Sequence, residues 1–403
     1  MLSVKDFETA ASRLKNVIHT IPLATSHTFS QLSGAEVYLK YENQQKTGSF
    51  KVRGAYNKIM KRYEEGDLKA VVASSAGNHA QGVAFAATSV GVKSTIVMPK
   101  SAPIAKVSAT EGYGAQVVLA GSIYDEAYAR ACEICEETGA EFIHPFDDED
   151  VMAGQGTIAL EILRDLPGVD MIFVPVGGGG LISGIAAYVK QINPRVQVIG
   201  VQAAGACAAV NAFHHDDPQP CTRVHTIADG IAVATPGTTA MQYINQYVDR
   251  MITVTDAEIA SAILLLLERT KQVVEPAGAS SLAALLGGKV DVRGKKVVCV
   301  LSGGNIDVSF IHKVVEKGLV TRGRHMKFST IMPDIPGSLA TFAAIVAECG
   351  ANVIMFQHDR VQAELDIDEA IVRVVCEVGG KEHGQRLLGA LREAGYTIMS
   401  QPF

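Results

Sequence analysis

The chain of 403 residues has no tryptophan, only 14 prolines and few charges, with Lys, Arg, Asp and Glu making up 19% of it. It also lacks long basic runs and long apolar runs. A net charge of −6 without basic clusters excludes the electrostatic footprint of a nucleic-acid-binding protein. Low charge alone is compatible with a membrane protein, but no stretch reaches the roughly 18–20 uninterrupted apolar residues that a span requires. The apolar runs are short, such as Val71–Ser74, Met171–Val176 and Val297–Leu301, and have the length of buried strands. The segment Met1–Glu8 carries acids early and has no apolar core, so no secretory signal is expected and the expected setting is cytoplasmic. The seven cysteines are odd in number and scattered, which reads as reduced thiols rather than a disulfide framework. Cys132 and Cys135 form a CxxC, but inside the helical pattern Asp125–Thr138, whereas a redox pair follows a strand and opens a helix. His214-His215-Asp216-Asp217 resembles a ligand set for a metal, yet it lies in a polar stretch with Pro218 and Pro220 and reads as a solvated loop.

What is present is a repeating order. The length allows two or three domains at about 150 residues each. From Val37 a short β-branched run, a turn and an Ala-rich helical stretch recur. Strands are predicted at Val37–Tyr41, Ala70–Ser74, Ser94–Met98, Gln116–Leu119, Met171–Val176, Val196–Val201 and Val297–Leu301. Helices are predicted at Ser49–Arg62, Asn78–Val90, Ile104–Tyr113, Ile123–Thr138 and Leu181–Lys190. This alternation implies an open α/β architecture of parallel sheets through about residue 320. The last 80 or so residues differ. Strand Arg324–Met332, helix Ser338–Glu348, strands Asn352–His358 and Glu369–Val378, helix Lys381–Ala394 and strand Tyr396–Ser400 give the βαββαβ order of a ferredoxin-like module. The basic stretch Thr321–His325 reads as the linker.

Four motifs carry chemistry. Val176-Gly177-Gly178-Gly179-Gly180-Leu181 joins an apolar strand to a helix, so several backbone N–H groups gather at a helix amino terminus, a site suited to phosphate. A dinucleotide fingerprint would need glycine at 182, where Ile182 stands, and an acid after the next strand, which ends Gly200-Val201-Gln202. A P-loop would need Gly-Lys-Ser/Thr, which is absent. In Ser49-Phe50-Lys51-Val52-Arg53-Gly54-Ala55, a lysine at a helix start is biased toward its neutral, nucleophilic form, able to condense with an aldehyde cofactor. Ser74-Ser75-Ala76-Gly77-Asn78-His79-Ala80-Gln81-Gly82 offers hydroxyl, amide and N–H groups between strand and helix. Leu301-Ser302-Gly303-Gly304-Asn305 also follows a strand.

A lysine, a phosphate cradle and polar loops at strand ends point to pyridoxal phosphate (PLP). These motifs, in this order, resemble the threonine dehydratases (threonine ammonia-lyases) of the tryptophan-synthase-β-like class, fold type II, over about residues 5–320. The tail resembles an ACT domain. The resemblance implies a two-lobed PLP core over 1–320, a small lobe at about 45–148 inserted in the larger, and an ACT regulatory domain over 325–403. It implies that Lys51 holds PLP and later moves the α proton, that Phe50 lies against the ring and that Asn78 bonds its 3′ oxygen. By the same resemblance Gly177, Gly178, Gly179 and Gly180, with Leu181, hold the phosphate and Ser302 faces the ring nitrogen. Ser75, Ala76, Gly77, Asn78 and His79 would receive the substrate carboxylate, with Gly230 and Glu275 at further pocket positions. The implied reaction converts L-threonine to 2-oxobutyrate and ammonia, and L-serine to pyruvate.

Serine racemase and 3-hydroxyaspartate ammonia-lyase are alternatives on the same fold, and a non-catalytic amino-acid sensor is one from another class. Racemases of this kind carry a serine where Ala76 stands, which favours lyase chemistry here. Some relatives bind a divalent metal through acids just after the strand ending Val201. Here Gln202–Ala208 contains no carboxylate, and no metal is expected. Asp334-Ile335-Pro336-Gly337-Ser338-Leu339, a turn into a helix, is the expected effector loop, with isoleucine or valine as first candidates. Pairing of tail modules would cover sheet edges, so a homodimer or homotetramer is expected.

Overall fold

The computed structural model describes residues 1–66, 68–214, 223–360 and 366–399. The chain forms two compact units, Met1–Asp307 and Val308–Phe403. The first contains strands β1 (Ala24–Thr25), β2 (Glu36–Tyr41), β3 (Ala70–Ser74), β4 (Lys93–Met98), β5 (Gln116–Leu119), β6 (Glu141–Phe142), β7 (Met171–Pro175), β8 (Gln197–Ala203), β9 (Arg250–Val254) and β10 (Lys296–Leu301). They make a six-stranded sheet, β1-β2-β10-β7-β8-β9, and a four-stranded sheet, β5-β4-β3-β6. Every pairing is parallel except β1 with β2. The predicted α/β architecture is therefore present. All residues of β7, and all but the first of β3 and of β10, are buried, as expected when helices cover both faces of a parallel sheet. Parallel pairing also aligns the carboxyl ends of the strands. Ser302 after β10 and Gly177 after β7 leave their sheet on one edge, where α/β proteins bind ligands.

One helix without a predicted counterpart, Glu149–Asp165, ties this edge together. Asp148 caps it by accepting the Val151 N–H at 3.0 Å, and Glu149 and Asp150 supply negative charge to its first turn. Its glycines let two other helices come close. A Cβ on Gly154 would lie 2.5 Å from the Arg53 carbonyl oxygen, on the helix Lys51–Glu64. A Cβ on Gly156 would lie 2.7 Å from the Gly184 carbonyl oxygen, on the helix Gly180–Ile192. The helix that carries Lys51 and the helix that follows the glycine run are thus packed on one support. Met152, Ile158, Ile162, Ile182, Ile185 and Val189 form the core between that support and the larger sheet. Full burial of each such side chain contributes about 1.5–3 kcal/mol.

The second unit begins with the helix Val308–Thr321 and continues with β11 (His325–Pro333), the helix Ser338–Glu348, β12 (Asn352–Asp359), β13 (Glu369–Glu377), the helix Lys381–Glu393 and β14 (Ile398–Met399). The basic stretch Thr321–His325 is the turn from that first helix into β11. The sheet is antiparallel in the order β12-β13-β11-β14, as a ferredoxin-like βαββαβ module requires. Phe328, Phe342, Val346, Leu387 and Leu391 fill its core. Among the described residues no helix is long and apolar enough to cross a membrane, and no cluster of three or more metal-ligating side chains occurs. His215, Asp216 and Asp217 of the metal-like motif lie outside the described residues. Cys132 and Cys135 sit within the helix Tyr124–Thr138 as free thiols.

Candidate active site

Lys51 is the first residue of its helix, and the turn before it is held by the turn after β10. Phe50 N–H donates to the Ser302 carbonyl at 3.1 Å, and Gly304 N–H donates to the Gly48 carbonyl at 2.8 Å. Asn305 Nδ2 donates to the Thr47 carbonyl at 2.8 Å, and Ser49 bridges to Gly303. Lys51 Nζ then reaches across to donate to the Pro145 carbonyl at 2.7 Å, and lies 5.4 Å from the centre of the Phe50 ring. Desolvation lowers its pKa to about 8, although Glu275 pulls the other way. About a tenth of the amine is therefore neutral at pH 7, far more than for an ordinary lysine.

Asn78 opens the helix Asn78–Ser89 and is fixed at both ends of its amide. Its Nδ2 donates to Glu275 Oε1 at 2.8 Å, and its Oδ1 accepts from Asn305 Nδ2 at 2.7 Å. Gly303 makes room for this, since a Cβ there would lie 2.3 Å from Glu275 Oε1. Burial, reinforced by the charge of Asp229, raises the Glu275 carboxyl to about 8, so at pH 7 it is mostly protonated. His79 donates Nε2–H to the Ile143 carbonyl at 2.8 Å, its buried Nδ1 has no partner, and burial with nearby Lys51 lowers its pKa to about 3. The imidazole is neutral and has no N–H left for a carboxylate, so the backbone N–H is what His79 can offer the loop.

The glycine run follows β7. Gly178, Gly179 and Gly180 are buried, and none of the N–H groups of Gly177–Gly180 donates to another group among the described residues. Buried N–H groups are ordinarily paired, so four without partners at a helix start, three of them on buried residues, mark an anion site. Gly179 has φ +103° and leads into the helix Gly180–Ile192. Gly178 lies against the ring of Phe146, which a Cβ would meet at 2.4 Å. The buried Ser74 hydroxyl also lacks a partner and faces the same space.

These groups enclose one cavity of about 740 Å³, within the range of small-molecule sites. The structure brings together in its walls Phe50, Lys51, the Ser75–His79 loop, Gly177–Leu181, Gly230, Glu275 and Ser302. The donor set fits PLP. A desolvated amine suits an aldehyde, unpartnered glycine N–H groups suit a phosphate, and an amide and a hydroxyl suit the polar atoms of a pyridine ring. Asp334–Leu339 belong to the second unit. There Asp334 pairs with Arg360 Nε at 2.9 Å, Gly337 has φ +99° before the helix Ser338–Glu348, and Ile335 and Leu339 are exposed.

Sequence reasoning did not assign Asn305, although it stands in the Ser302–Asn305 motif, nor Pro145, whose contribution is a backbone carbonyl. It also gave no role to Arg53. That guanidinium is buried two residues after Lys51, bonded to Glu42 at 2.8 Å through both Nε and Nη2, to Glu161 at 2.6 and 3.0 Å and to Thr157 at 3.0 Å. Lys40 Nζ completes the group at 2.5 Å from Glu161.

Residues 14–303 match the protein family of pyridoxal-phosphate dependent enzymes. The chain is 48% identical over 398 residues to an L-threonine ammonia-lyase of Thermotoga maritima, covering 99% of each. Among solved structures it is similar to the processed form of threonine deaminase isoform 2 from Solanum lycopersicum, with TM-score 0.75 and 36% identity over 78% of this chain and 88% of that one. Serine racemase from Dictyostelium discoideum is also similar, with TM-score 0.72 and 38% identity over 76% of this chain and 99% of the other.

Proposed function

As the chain belongs to the family of pyridoxal-phosphate dependent enzymes, we propose that the cavity around Lys51 eliminates water from L-threonine, and that the released enamine, as its imine tautomer, takes a water back by hydrolysis to give 2-oxobutyrate and ammonia. The observation that carries this is one pocket holding a desolvated lysine and four unpartnered glycine N–H groups. When bound, PLP supplies an electron sink that acidifies the substrate's Cα–H. Gly177–Gly180 would hold its phosphate, Asn78 and Ser302 its ring, and Phe50 one face of it.

The chain's own groups do the rest. Lys51 Nζ, neutral in part because it is desolvated, takes the Cα proton. Asn78 is held by hydrogen bonds from both ends of its amide, to Glu275 and from Asn305, which orient it in the cavity wall. Glu275 is mostly protonated at pH 7 and so adds little net charge beside the reacting centre. In the loop Ser75–Asn78 the N–H groups of Ala76 and Asn78, which have no partner among the described residues, would meet the substrate carboxylate, while Ser75 N–H donates to the Val97 carbonyl and Ser75 Oγ accepts the Gly77 N–H, each at 3.2 Å, and these bonds fix the turn. Ala76 in the cavity wall carries no acid for the opposite face of the substrate, which favours elimination over racemisation.

Further parts of the reading are that L-serine is a second substrate, giving pyruvate, and that an amino-acid effector binds at Asp334–Leu339. The enzyme works in the cytoplasm as a homodimer or homotetramer, with a catalytic core over 1–320 and the regulatory module over 325–403. The test is 2-oxo acid formation from L-threonine and L-serine by the purified protein, with and without isoleucine or valine. A yellow protein that forms no 2-oxobutyrate would refute the main reading, and rates unmoved by either amino acid would refute these two effector candidates.

A further inference from the structure

The charges in the cavity bear on which hydroxy amino acids it admits. Among the described residues its walls carry two lysines, Lys51 and Lys106, and three acids, Asp125, Asp229 and Glu275. Lys51 is committed to the reaction. Lys106 stands on the helix Ile104–Gly112, which belongs with the four-stranded sheet, and its Nζ lies 3.1 Å from Asp229 Oδ2. Asp229 comes from the short 3₁₀ turn Asp229–Ile231, whose Gly230 lies against Ala277 and Glu275. The second cation of the cavity is therefore neutralised by an acid of the same walls. The imidazole of His79 is neutral. A substrate's α-carboxylate meets the backbone donors of the Ser75–Asn78 loop. A second carboxylate, on the β-carbon, would meet no unpaired cation in these walls and would face Asp229 and the exposed Asp125.

We propose that the Lys106–Asp229 pair sets the substrate class, keeping the cavity selective for 2-amino-3-hydroxy acids with an uncharged side chain and turning away those with a second carboxylate, such as 3-hydroxyaspartate. This rests on the ammonia-lyase reading above. Both residues act on the substrate by charge. Asp229→Asn leaves Lys106 unpaired, while the new amide oxygen can still accept the Gly230 N–H that Asp229 Oδ1 accepts at 2.9 Å. Lys106→Gln leaves Asp229 unpaired.

The experiment measures kcat/KM for L-threonine and for 3-hydroxyaspartate in the holoenzyme and both variants. Asp229→Asn raises the ratio of hydroxyaspartate to threonine by about tenfold, equivalent to about 1.4 kcal/mol. Lys106→Gln lowers it. Calorimetric titration with succinate and butyrate, which needs no turnover, follows the same order. A general structural role would move both variants in one direction, and that outcome, or an unchanged ratio, overturns the proposal. Asp229 is 67% exposed, so its replacement leaves the fold intact. Should the variant lose turnover, unchanged succinate affinity overturns the proposal equally. Failure of the wild type to act on threonine would instead refute the ammonia-lyase reading.

Discussion

Lys51 and Arg53 stand two residues apart on one helical turn and have opposite electrostatic fates. Arg53 is fully buried, where desolvation alone would lower its pKa, but Glu42 and Glu161 more than reverse that and hold it charged. Glu161 is in turn kept ionised against its own burial by Arg53 and Lys40. Two cations and two carboxylates close on one another, and nothing is left to react. Lys51 donates to one carbonyl, has only a mostly protonated carboxyl nearby, and loses its proton more easily. Both are desolvated, Arg53 within the core and Lys51 half-buried in the cavity wall, and the decisive difference lies in their partners. A buried charge given its counter-charges is structural, and one denied them is chemical.

The largest effect should come from Lys51→Ala, which lowers 2-oxobutyrate formation by at least about 10³-fold, since it removes both the attachment point and the base. The cofactor-free variant should melt no lower than wild type, because a desolvated amine is lost without orphaning an anion. A clear drop in melting temperature would place Lys51 with Arg53 among the structural charges. Arg53→Ala should show the reverse. Stability falls by about 3–5 kcal/mol in a denaturant titration, because Glu42 is left buried without its partner. A loss within error would dissolve the contrast.

Glu275→Gln tests the pocket through pH. The folded carboxyl keeps its proton to about pH 8, whereas the unfolded one releases it near about 4.3. Between those values the folded chain binds more protons, so stability falls as pH rises. Gln does not titrate. Cofactor-free wild type should therefore lose on the order of a few kcal/mol relative to Glu275→Gln between about pH 4.5 and 8. A pH-independent difference would show that Glu275 ionises as freely as in water. At the bottom of the scale, Arg130 bonds Glu133 and Glu137 at 2.8 Å on an exposed helix face. Arg130→Ala should leave the melting temperature unchanged, since solvent screens the pair.

Much of the fold was legible because its punctuation is local. β3, β5 and the helix Ser338–Glu348 lie where apolar runs and turn residues place them, and the strand–helix alternation implied the parallel sheets. The helix Glu149–Asp165 was not legible. Gly154 and Gly156 each weaken its intrinsic propensity by about 1 kcal/mol, and the close neighbours that use those glycines come from residues 51–64 and 180–192. The same division runs through the site. Asn78, Ser302 and the glycine run each sit in a short motif at a strand end, and Lys51 in one at a helix start. Pro145, Asn305 and the Arg53 group act through partners up to 258 residues away in the chain, and no local pattern announces them.

By itself the sequence determined which residue types stand at the strand ends, and with them the chemistry on offer: an amine, N–H groups for an anion, an amide and a hydroxyl. Spacing carries that information, because a strand followed by a glycine turn and a helix delivers backbone donors wherever it folds. Only the tertiary structure decided which charges have partners. It set Lys51 against a carbonyl and Arg53 against two carboxylates, and it closed Lys106 onto Asp229 in the cavity walls. Reactivity and selectivity depend on desolvation and on distances of a few ångströms between segments far apart in the chain, and those quantities exist only once the chain is packed.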